Sequence, residues 1–452
     1  MTLERGQLGA LAALAAVVSV SIFATQLLLV VGVLAFLARL LAGRARFPRT
    51  PLDGPTLALC LWTLLSASFS SNPALSHVYS KKLLLFVLLY VAIDSLASDQ
   101  ARDRVLTATF LGGLALAGLT VVQYFVLGFD SLHLRPRGFL GHYMSASGVT
   151  MGIVVLAAAR LSVAREWPRP GRADVRLLLA LAAGLALLTA AKATGVGAVL
   201  ATRLFVLGLA LAGGALALGR GRWPGRATGT LLAALVIPLG SLALVLSQTR
   251  NAWLGTLVGL ATVAVVRAPR TLWLLGAAVL AVLALRPDTV MSRLTLMDDS
   301  SRDRYYMWQA GIDMIVDKPV FGQGPGMILS VYPSYRWPEA PNPNAPHLHD
   351  NALQIAAERG LPCLVFWLWW VAVAMADAWR EARRAALPFA DPRARESTWP
   401  AVAALGVLAA ILAAGVFEYN FGDSEVLMFV LLVASLPYAL RRQRNLAAGA
   451  PA

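Results

Sequence analysis

Residues 105–128 read VLTATFLGGLALAGLTVVQYFVLG, a predominantly apolar run without a charged side chain. Because about 20 apolar residues in a helix span the hydrocarbon core of a bilayer, this run predicts a transmembrane helix. Thirteen similar segments occur near residues 7–22, 24–43, 55–71, 81–98, 141–164, 176–191, 197–219, 227–246, 252–266, 271–285, 351–378, 399–417 and 425–440. The sequence therefore predicts an all-α, polytopic membrane protein.

The number of complete spans is predicted to be about 12, within a range of roughly 12–14. The first two segments can instead form one long tilted or re-entrant element. The stretch 176–219 contains Lys192 and Arg203, and charged side chains inside a span are costly. Some of the fourteen segments are therefore not expected to cross the membrane completely.

The composition excludes a set of soluble domains. Hydrophobic residues make up 58% of the chain and charged residues only 14%, against about 45–50% and 25% in soluble domains. A net charge of +15 would suggest nucleic acid in a soluble protein, but in a membrane protein it mainly reports topology. We predict no nucleic-acid partner.

The basic residues alternate between connections. Of the 39 Lys and Arg residues, 25 fall on every second connection or at the helix ends beside it, which leaves 14 elsewhere. Cytoplasmic connections carry an excess of Lys and Arg. Both termini are therefore predicted to be cytoplasmic, and the other set of connections periplasmic.

The chain is predicted to have three parts. Residues 1–285 form the N-terminal transmembrane helices, 286–350 a large periplasmic catalytic loop, and 351–452 the C-terminal transmembrane helices with a cytoplasmic tail. Within the loop, apolar residues at helical spacing predict a helix over 302–316. The stretch 322–346, rich in Pro and Gly, predicts an ordered irregular segment.

Several cationic residues lie on the connections that should be poor in them. Four separate connections contribute such residues: Lys81, Lys82, Arg135, Arg137, Arg250, Arg302 and Arg304. One interpretation is that each side chain extends to lipid headgroups. Together they favour a pocket for a multiply charged anion such as pyrophosphate, which Arg binds in a bidentate manner.

The sequence HLHDN places His347 and His349 two residues apart, just before the apolar run that begins near Asn351. Histidine titrates near neutral pH, so either one can act as a general base toward a sugar hydroxyl. Two ordinary loop histidines are the simplest alternative. Metal ligation is a third, with Asp350, Asp298 and Asp299 as further ligands. We predict no metal, because the motif lacks a clear third and fourth ligand.

Four other patterns carry weaker signals. The GQGPG sequence at 322–326 lacks the Lys-Ser/Thr of a phosphate loop and is predicted to be a turn. MDDSSRDR at 297–304 can bind a divalent metal or cap the loop helix. Adjacent Glu358 and Arg359 can form an internal ion pair. EYNFGDSE at 418–425 is predicted to be a short external turn.

The order of these motifs resembles the O-antigen ligase and polymerase superfamily of bacterial inner membranes. The matching stretch runs from Ser247 to Gly360, and its motifs are Thr249-Arg250 after a span, RxxxW from Arg304 to Trp308, KPVFGQGPG at 318–326 and HLHDNALQIAAERG at 347–360. The HLHDN sequence looks most like the ligase branch. Asp350 departs from many relatives, which have Asn after the second histidine.

The resemblance implies a polytopic glycosyltransferase of the GT-C type. Its donor would be an undecaprenyl-pyrophosphate-linked O-antigen and its acceptor a sugar hydroxyl of lipid A–core, with lipopolysaccharide formed at the periplasmic face. Such enzymes are thought to invert the anomeric centre without metal or ATP, so no cofactor is expected. The cationic residues would hold the pyrophosphate. His349, which aligns with the family's histidine, would be the base and His347 its support, or the reverse.

Two alternatives use the same residues differently. An O-antigen polymerase would take the same donor but transfer it to a second lipid-linked glycan. A polysaccharide transporter would line a permeation path with its charged groups, and would place them near the bilayer midplane. The clustering of these residues at one face favours the enzyme.

Overall fold

The computed structural model describes residues 2–164, 169–219, 225–285, 299–384 and 397–449. Within these ranges all regular elements are helical and no strand occurs. The predicted all-α, polytopic architecture is confirmed.

Eighteen α-helices are described within those ranges, together with three short 3₁₀ helices. The α-helices are α1 (Thr2–Val17), α2 (Ile22–Leu41), α3 (Asp53–Ser68), α4 (Pro73–Ser80), α5 (Val87–Ser95), α6 (Asp99–Phe125), α7 (Tyr143–Leu161), α8 (Arg172–Thr194), α9 (Ala198–Leu218), α10 (Arg226–Leu246), α11 (Arg250–Arg267), α12 (Leu272–Leu285), α13 (Asp299–Asp317), α14 (Ile328–Tyr335), α15 (Asn351–Arg383), α16 (Trp399–Ala414), α17 (Ser424–Ala434) and α18 (Leu436–Ala447). The 3₁₀ helices are Lys81–Phe86, Pro269–Thr271 and Asn420–Gly422.

Nine helical segments in the described part of the chain are long and apolar enough to cross a bilayer. They are α2, α6, α7, α8, α9, α10, α15, the continuous stretch Pro73–Ser95 and the continuous stretch Ser424–Ala447. The other five predicted apolar segments form α1, α3, α11, α12 and α16. These five are shorter than a full span or, in α11, carry an arginine at each end. The predicted count of about 12 exceeds nine because it includes such helices.

The first two apolar segments form separate helices, α1 and α2, which pack against each other. Ser21 begins α2, since its side chain accepts a hydrogen bond from the Ala24 amide. The structure therefore does not contain the single tilted element that was one alternative for this region.

Ion pairs formed by buried carboxylates join several helices at one end of the bundle. Asp94 of α5 pairs with Arg39 of α2 and, at 3.0 Å, with Arg442 of α18. Glu381, at the end of α15, lies 2.5 Å from Arg444. These arginines belong to the set predicted to be cytoplasmic. Acidic partners thus neutralise part of that set, and for the buried Asp94 pairs the loss of one partner typically costs about 3–5 kcal/mol.

The histidine motif lies at the opposite end of the bundle from these ion pairs. His349 lies two residues before the start of α15, whereas Glu381 is close to the last residue of that helix. Since a helix rises about 1.5 Å per residue, the length of α15 separates its two ends by tens of ångströms. The described part of the large loop, residues 299–350, therefore leads into α15 at the end of the bundle opposite these ion pairs.

The predicted loop helix is present as α13. The stretch 322–346 is less irregular than predicted, because it contains α14. Ile328 and Tyr332 of α14 are fully buried against Met307 and Met314 of α13. This apolar contact stabilises a short helix despite Pro333 within it.

Small residues bring α11 and α16 into close contact. A Cβ atom on Gly259 would lie 2.6 Å from Val155 Cγ2 and 2.9 Å from Ala410 Cβ, so only glycine fits there. Close approach through small residues is a common means of helix association in membranes. The contact matters for the site because Arg250 begins α11 and Glu418 follows the end of α16.

We expect Gly259→Leu to destabilise the protein by forcing α11 and α16 apart, at a cost of about 1–3 kcal/mol. The measurement is thermal unfolding of the purified protein in detergent. Gly276→Leu is the matched control, because a Cβ at Gly276 meets no atom within 4 Å. Equal unfolding temperatures for the two variants would contradict the role assigned to this contact.

Candidate active site

Two interactions fix the backbone around the histidine motif. The side chain of Asp350 accepts a hydrogen bond from the Leu353 amide at 2.7 Å and so begins α15. The Gln354 side chain accepts another from the Leu348 amide, also at 2.7 Å. Leu348, which separates the two histidines in the sequence, is fully buried. The motif is therefore a rigid entry to α15 rather than an exposed loop.

His347 and His349 lie against each other, with ring centroids 4.1 Å apart. The backbone of His349 has a positive φ of 53°, a conformation that few residues other than glycine adopt and in which histidine is enriched. Held in this way, both rings face the same acidic side chain.

That side chain is Glu418, which the sequence analysis missed. Its Oε2 atom lies 2.8 Å from Nδ1 of His349, and its Oε1 atom lies 3.7 Å from Nε2 of His347. The prediction of an external turn at 418–425 was correct for the backbone but gave no role to this glutamate, which is only 4% exposed. A lone acidic residue directly after an apolar run was the available signal.

The turn that carries Glu418 is held against the start of α15. Asn351 donates a hydrogen bond to the Asn420 side chain at 2.8 Å and accepts one from the Phe421 amide at 3.1 Å. Its own amide donates to the Gly415 carbonyl at 2.8 Å. Glu418 therefore keeps a fixed position relative to the histidines.

The electrostatic environment separates the protonation states of these groups. Burial is the main cause that lowers the pKa of His347 to about 4, with Glu418 opposing it. Burial by itself raises the pKa of Glu418, but the hydrogen bond from His349 and the nearby charge of Arg304 lower it overall. At neutral pH the site therefore contains a neutral His347 beside an ionised Glu418.

The carboxylate determines which nitrogen of His349 is available. Because an ionised Glu418 only accepts hydrogen bonds, Nδ1 of His349 must be the donor in this pair. In its neutral form the ring then has its lone pair on Nε2, the atom that points away from Glu418. This is the arrangement of a base oriented by an acidic partner.

The same three side chains are also the best metal-ligand set in the described residues. Ligand atoms of His347, His349 and Glu418 all lie within 4.8 Å of one another. The sequence had suggested Asp350 as a ligand beside the histidines, but Asp350 caps α15 and Glu418 is the acidic member of the set. Asp298 and the side chain of Asp299 lie outside the described residues. Two histidines and a carboxylate are ligands that zinc accepts in catalytic sites.

Three of the predicted cationic residues meet at one cavity of about 510 Å³. Arg135 precedes α7, Arg250 begins α11 and Arg304 lies in the first turns of α13. Arg250 donates a hydrogen bond to the Ser301 hydroxyl at 3.1 Å, and Arg135 lies 4.5 Å from the centre of the Tyr143 ring. The cavity thus concentrates positive charge contributed by three separate connections.

The cavity approaches the histidine pair through Phe417 and Arg304, although neither histidine lines it. Phe417, the neighbour of Glu418, lines it together with Trp308 of α13, and their ring centroids are 6.0 Å apart. Arg304 lines the cavity and also acts on the pKa of Glu418. An anion in this cavity would therefore lie next to the candidate base.

The remaining predicted cationic residues are placed elsewhere. Arg137 lines a different cavity, and Lys82 donates a hydrogen bond to the Gly422 carbonyl at 2.6 Å. Lys81 and Arg302 are exposed, and neither lines the arginine cavity. Sequence alone could not separate Arg135 from Arg137, because a loop has no fixed side-chain period.

The GQGPG sequence forms a turn, as predicted, that is bound by protein groups. The Gly326 amide donates to the Glu358 carboxylate at 2.9 Å, and the Gly324 amide donates to the Glu358 carbonyl at 2.8 Å. Glu358 also pairs with Arg359 at 3.1 Å, which confirms the predicted ion pair. Gly360 has a φ of 80°, and a Cβ there would lie 1.9 Å from the Val320 carbonyl oxygen. Gly360 is non-helical and kinks α15 at this point. The turn packs against the kink, and its Gly324 and Gly326 amides bind protein groups instead of a phosphate.

Residues 233–368 match a protein-family model described as O-Antigen ligase. The resemblance to the O-antigen ligase superfamily is confirmed. The O-antigen ligase match includes Arg250, Arg304, His347 and His349, but ends before Glu418. None of the curated proteins matches the chain.

Proposed function

We propose that this protein is an O-antigen ligase. It transfers O-antigen polysaccharide from undecaprenyl pyrophosphate to a sugar hydroxyl of lipid A–core and thereby completes lipopolysaccharide. The observation that carries the proposal is the His349–Glu418 pair beside a cavity lined by three arginines. A base next to an anion site is what transfer from a pyrophosphate donor requires.

The proposed reaction is a single displacement at the anomeric carbon. Nε2 of His349 takes the proton of the acceptor hydroxyl, and the oxygen attacks the anomeric carbon of the donor sugar. The bond between that carbon and the pyrophosphate oxygen breaks as the new glycosidic bond forms, so the anomeric configuration inverts. Arg135, Arg250 and Arg304 stabilise the charge that develops on the departing pyrophosphate.

Glu418 and His347 act around the base. Glu418 holds the Nδ1 proton of His349 and stabilises the imidazolium that forms after proton transfer. Nδ1 of His347 is buried and has no hydrogen-bond partner among the described residues. The His347 side chain as a whole is still 26% exposed beside the base, so the accessible part of its neutral ring can contact the substrate.

The base assignment predicts that His349→Ala lowers turnover by about 10²–10⁴-fold with donor binding largely intact. Glu418→Gln keeps the size of the side chain but removes its charge, so it should lower turnover with little effect on donor KM. The assay uses purified protein in liposomes with undecaprenyl-pyrophosphate-linked O-antigen and lipid A–core. His77→Ala, an exposed histidine of α4, is the matched control.

Two outcomes would change this assignment. Activity that is lost with EDTA and restored by Zn²⁺, Mg²⁺ or Mn²⁺ would make His347, His349 and Glu418 metal ligands. Efficient transfer to a second lipid-linked glycan, but not to lipid A–core, would make the protein a polymerase.

The anion site predicts that Arg250→Ala nearly abolishes transfer in a folded, inserted protein. Arg250→Lys should restore little activity, because an ammonium group cannot reproduce the bidentate geometry of a guanidinium group. Donor binding and turnover are measured separately. Arg270→Ala is the matched control, since Arg270 is exposed beyond the opposite end of α11. Full activity of Arg250→Ala would remove this residue from the donor site.

The proposed orientation places both termini in the cytoplasm and loop 286–350 in the periplasm of the bacterial inner membrane. In a background without Cys60 and Cys363, a cysteine replacing the exposed Ser334 should react with a membrane-impermeant thiol reagent in intact spheroplasts. A cysteine replacing Ala447 should react only after lysis. The opposite labelling pattern would reverse the topology and refute the periplasmic site.

A further inference from the structure

The α8–α9 hairpin forms an apolar groove with α6. The groove has a volume of about 580 Å³, and all the residues that line it are apolar, among them Leu177, Leu181 and Leu188 of α8 and Leu204 and Leu209 of α9. Few residues of α8 are buried, so the hairpin lies at the edge of the bundle. The groove is therefore positioned to accept a hydrocarbon chain from the bilayer.

A cationic cavity of about 680 Å³ lies at the outer end of this hairpin. Arg137 and Lys192 line it, together with Gln123 at the end of α6. No acidic side chain is among the described residues that line this cavity. Its charge is complementary to an anion, and it is separate from the cavity of Arg135, Arg250 and Arg304.

The cationic cavity and the apolar groove meet at a pair of aromatic rings. Phe139 lines the former and Phe205 the latter, and the two rings stack with centroids 5.1 Å apart. On α8, Leu181, Leu188 and Lys192 follow one another at helical spacing, so they share one face. The cationic cavity and the apolar groove thus belong to one continuous surface.

The length of the groove limits which lipid fits. From Leu177 to Leu188 the helix rises about 17 Å, which is close to half of a hydrocarbon core of about 30 Å. This depth corresponds to one leaflet. It suits the acyl chain of a glycerophospholipid better than the much longer polyprenyl chain of a lipid-linked sugar.

We infer that this surface binds one anionic glycerophospholipid of the outer leaflet. The headgroup phosphate lies between Arg137 and Lys192, and an acyl chain occupies the groove between α8 and α9. The inference does not depend on the proposed transferase activity. The bound lipid would contact both the loop that carries Arg135 and the α8–α9 hairpin at the edge of the bundle.

The test is native mass spectrometry of the purified full-length protein with added phosphatidylglycerol, compared with phosphatidylcholine of the same chain length. One phosphatidylglycerol should remain bound under conditions that remove phosphatidylcholine. Lys192→Gln should weaken binding about fivefold, the effect of one cation near a lipid phosphate. Arg176→Gln, which removes an exposed cation from the other end of α8, is the matched control and should not change it.

A second variant tests the groove. Gly208 lines it, and a Cβ there meets no atom within 4 Å, so Gly208→Phe should fill the groove while the protein still folds. We expect it to prevent retention of the lipid, whereas Gly276→Phe, which also extends into open space, should not. Unfolding temperature and size-exclusion profile verify that each variant is folded.

Three results would overturn the inference. They are equal retention of the two lipids, wild-type retention by both Lys192→Gln and Gly208→Phe, and stoichiometric displacement of the bound lipid by undecaprenyl pyrophosphate. The last result would assign the surface to the donor lipid. Because lipid retention is measured without turnover, failure here leaves the transferase assay unaffected, and failure of that assay leaves this test valid.

Discussion

A bilayer offers no hydrogen-bond partner to a peptide group, so each segment that crosses it must satisfy its own backbone. This constraint makes every regular element of the described chain a helix and moves its polar chemistry to the helix ends. Two different polar assemblies result. At one end, buried carboxylates such as Asp94 and Glu381 tie the helices together. At the other, Glu418 orients two histidines. Helix packing through small residues then sets the distances between groups that belong to different connections.

The burial of Glu418 shows how this framework serves chemistry. A carboxylate taken out of water is unfavourable unless it is paired and hydrogen-bonded, and here the compensation comes from His349 and from the charge of Arg304. In a site with little water the same charges act more strongly on one another. The carboxylate, the histidines and the arginine cavity therefore form one electrostatic unit, although they come from parts of the chain that are far apart in sequence.

Much of this organisation was predictable from the sequence. Apolar segments predicted the helices, the composition of the large loop drew attention to His347, His349 and Arg304, and a cation after a span drew attention to Arg250. The sequence marked Glu418 only as an acidic residue after an apolar run, and its pairing with His349 was not predictable because the two residues are 69 positions apart. Arg135 and Arg137 line different cavities because of the path of an irregular loop, which the sequence does not reveal. Helix α14 depends on burial against α13, a tertiary effect that overrides the signal of its proline.

The positive φ of His349 narrows the range of residues that evolution can use at this position. A functional replacement must supply a proton acceptor and also tolerate a backbone region in which Asn, Asp and His are enriched and β-branched or bulky residues are strained. Most amino acids that can accept a proton are strained at positive φ, and most that tolerate positive φ cannot act as a base. Backbone geometry and acid–base chemistry therefore both favour a small set of residues that includes histidine at position 349.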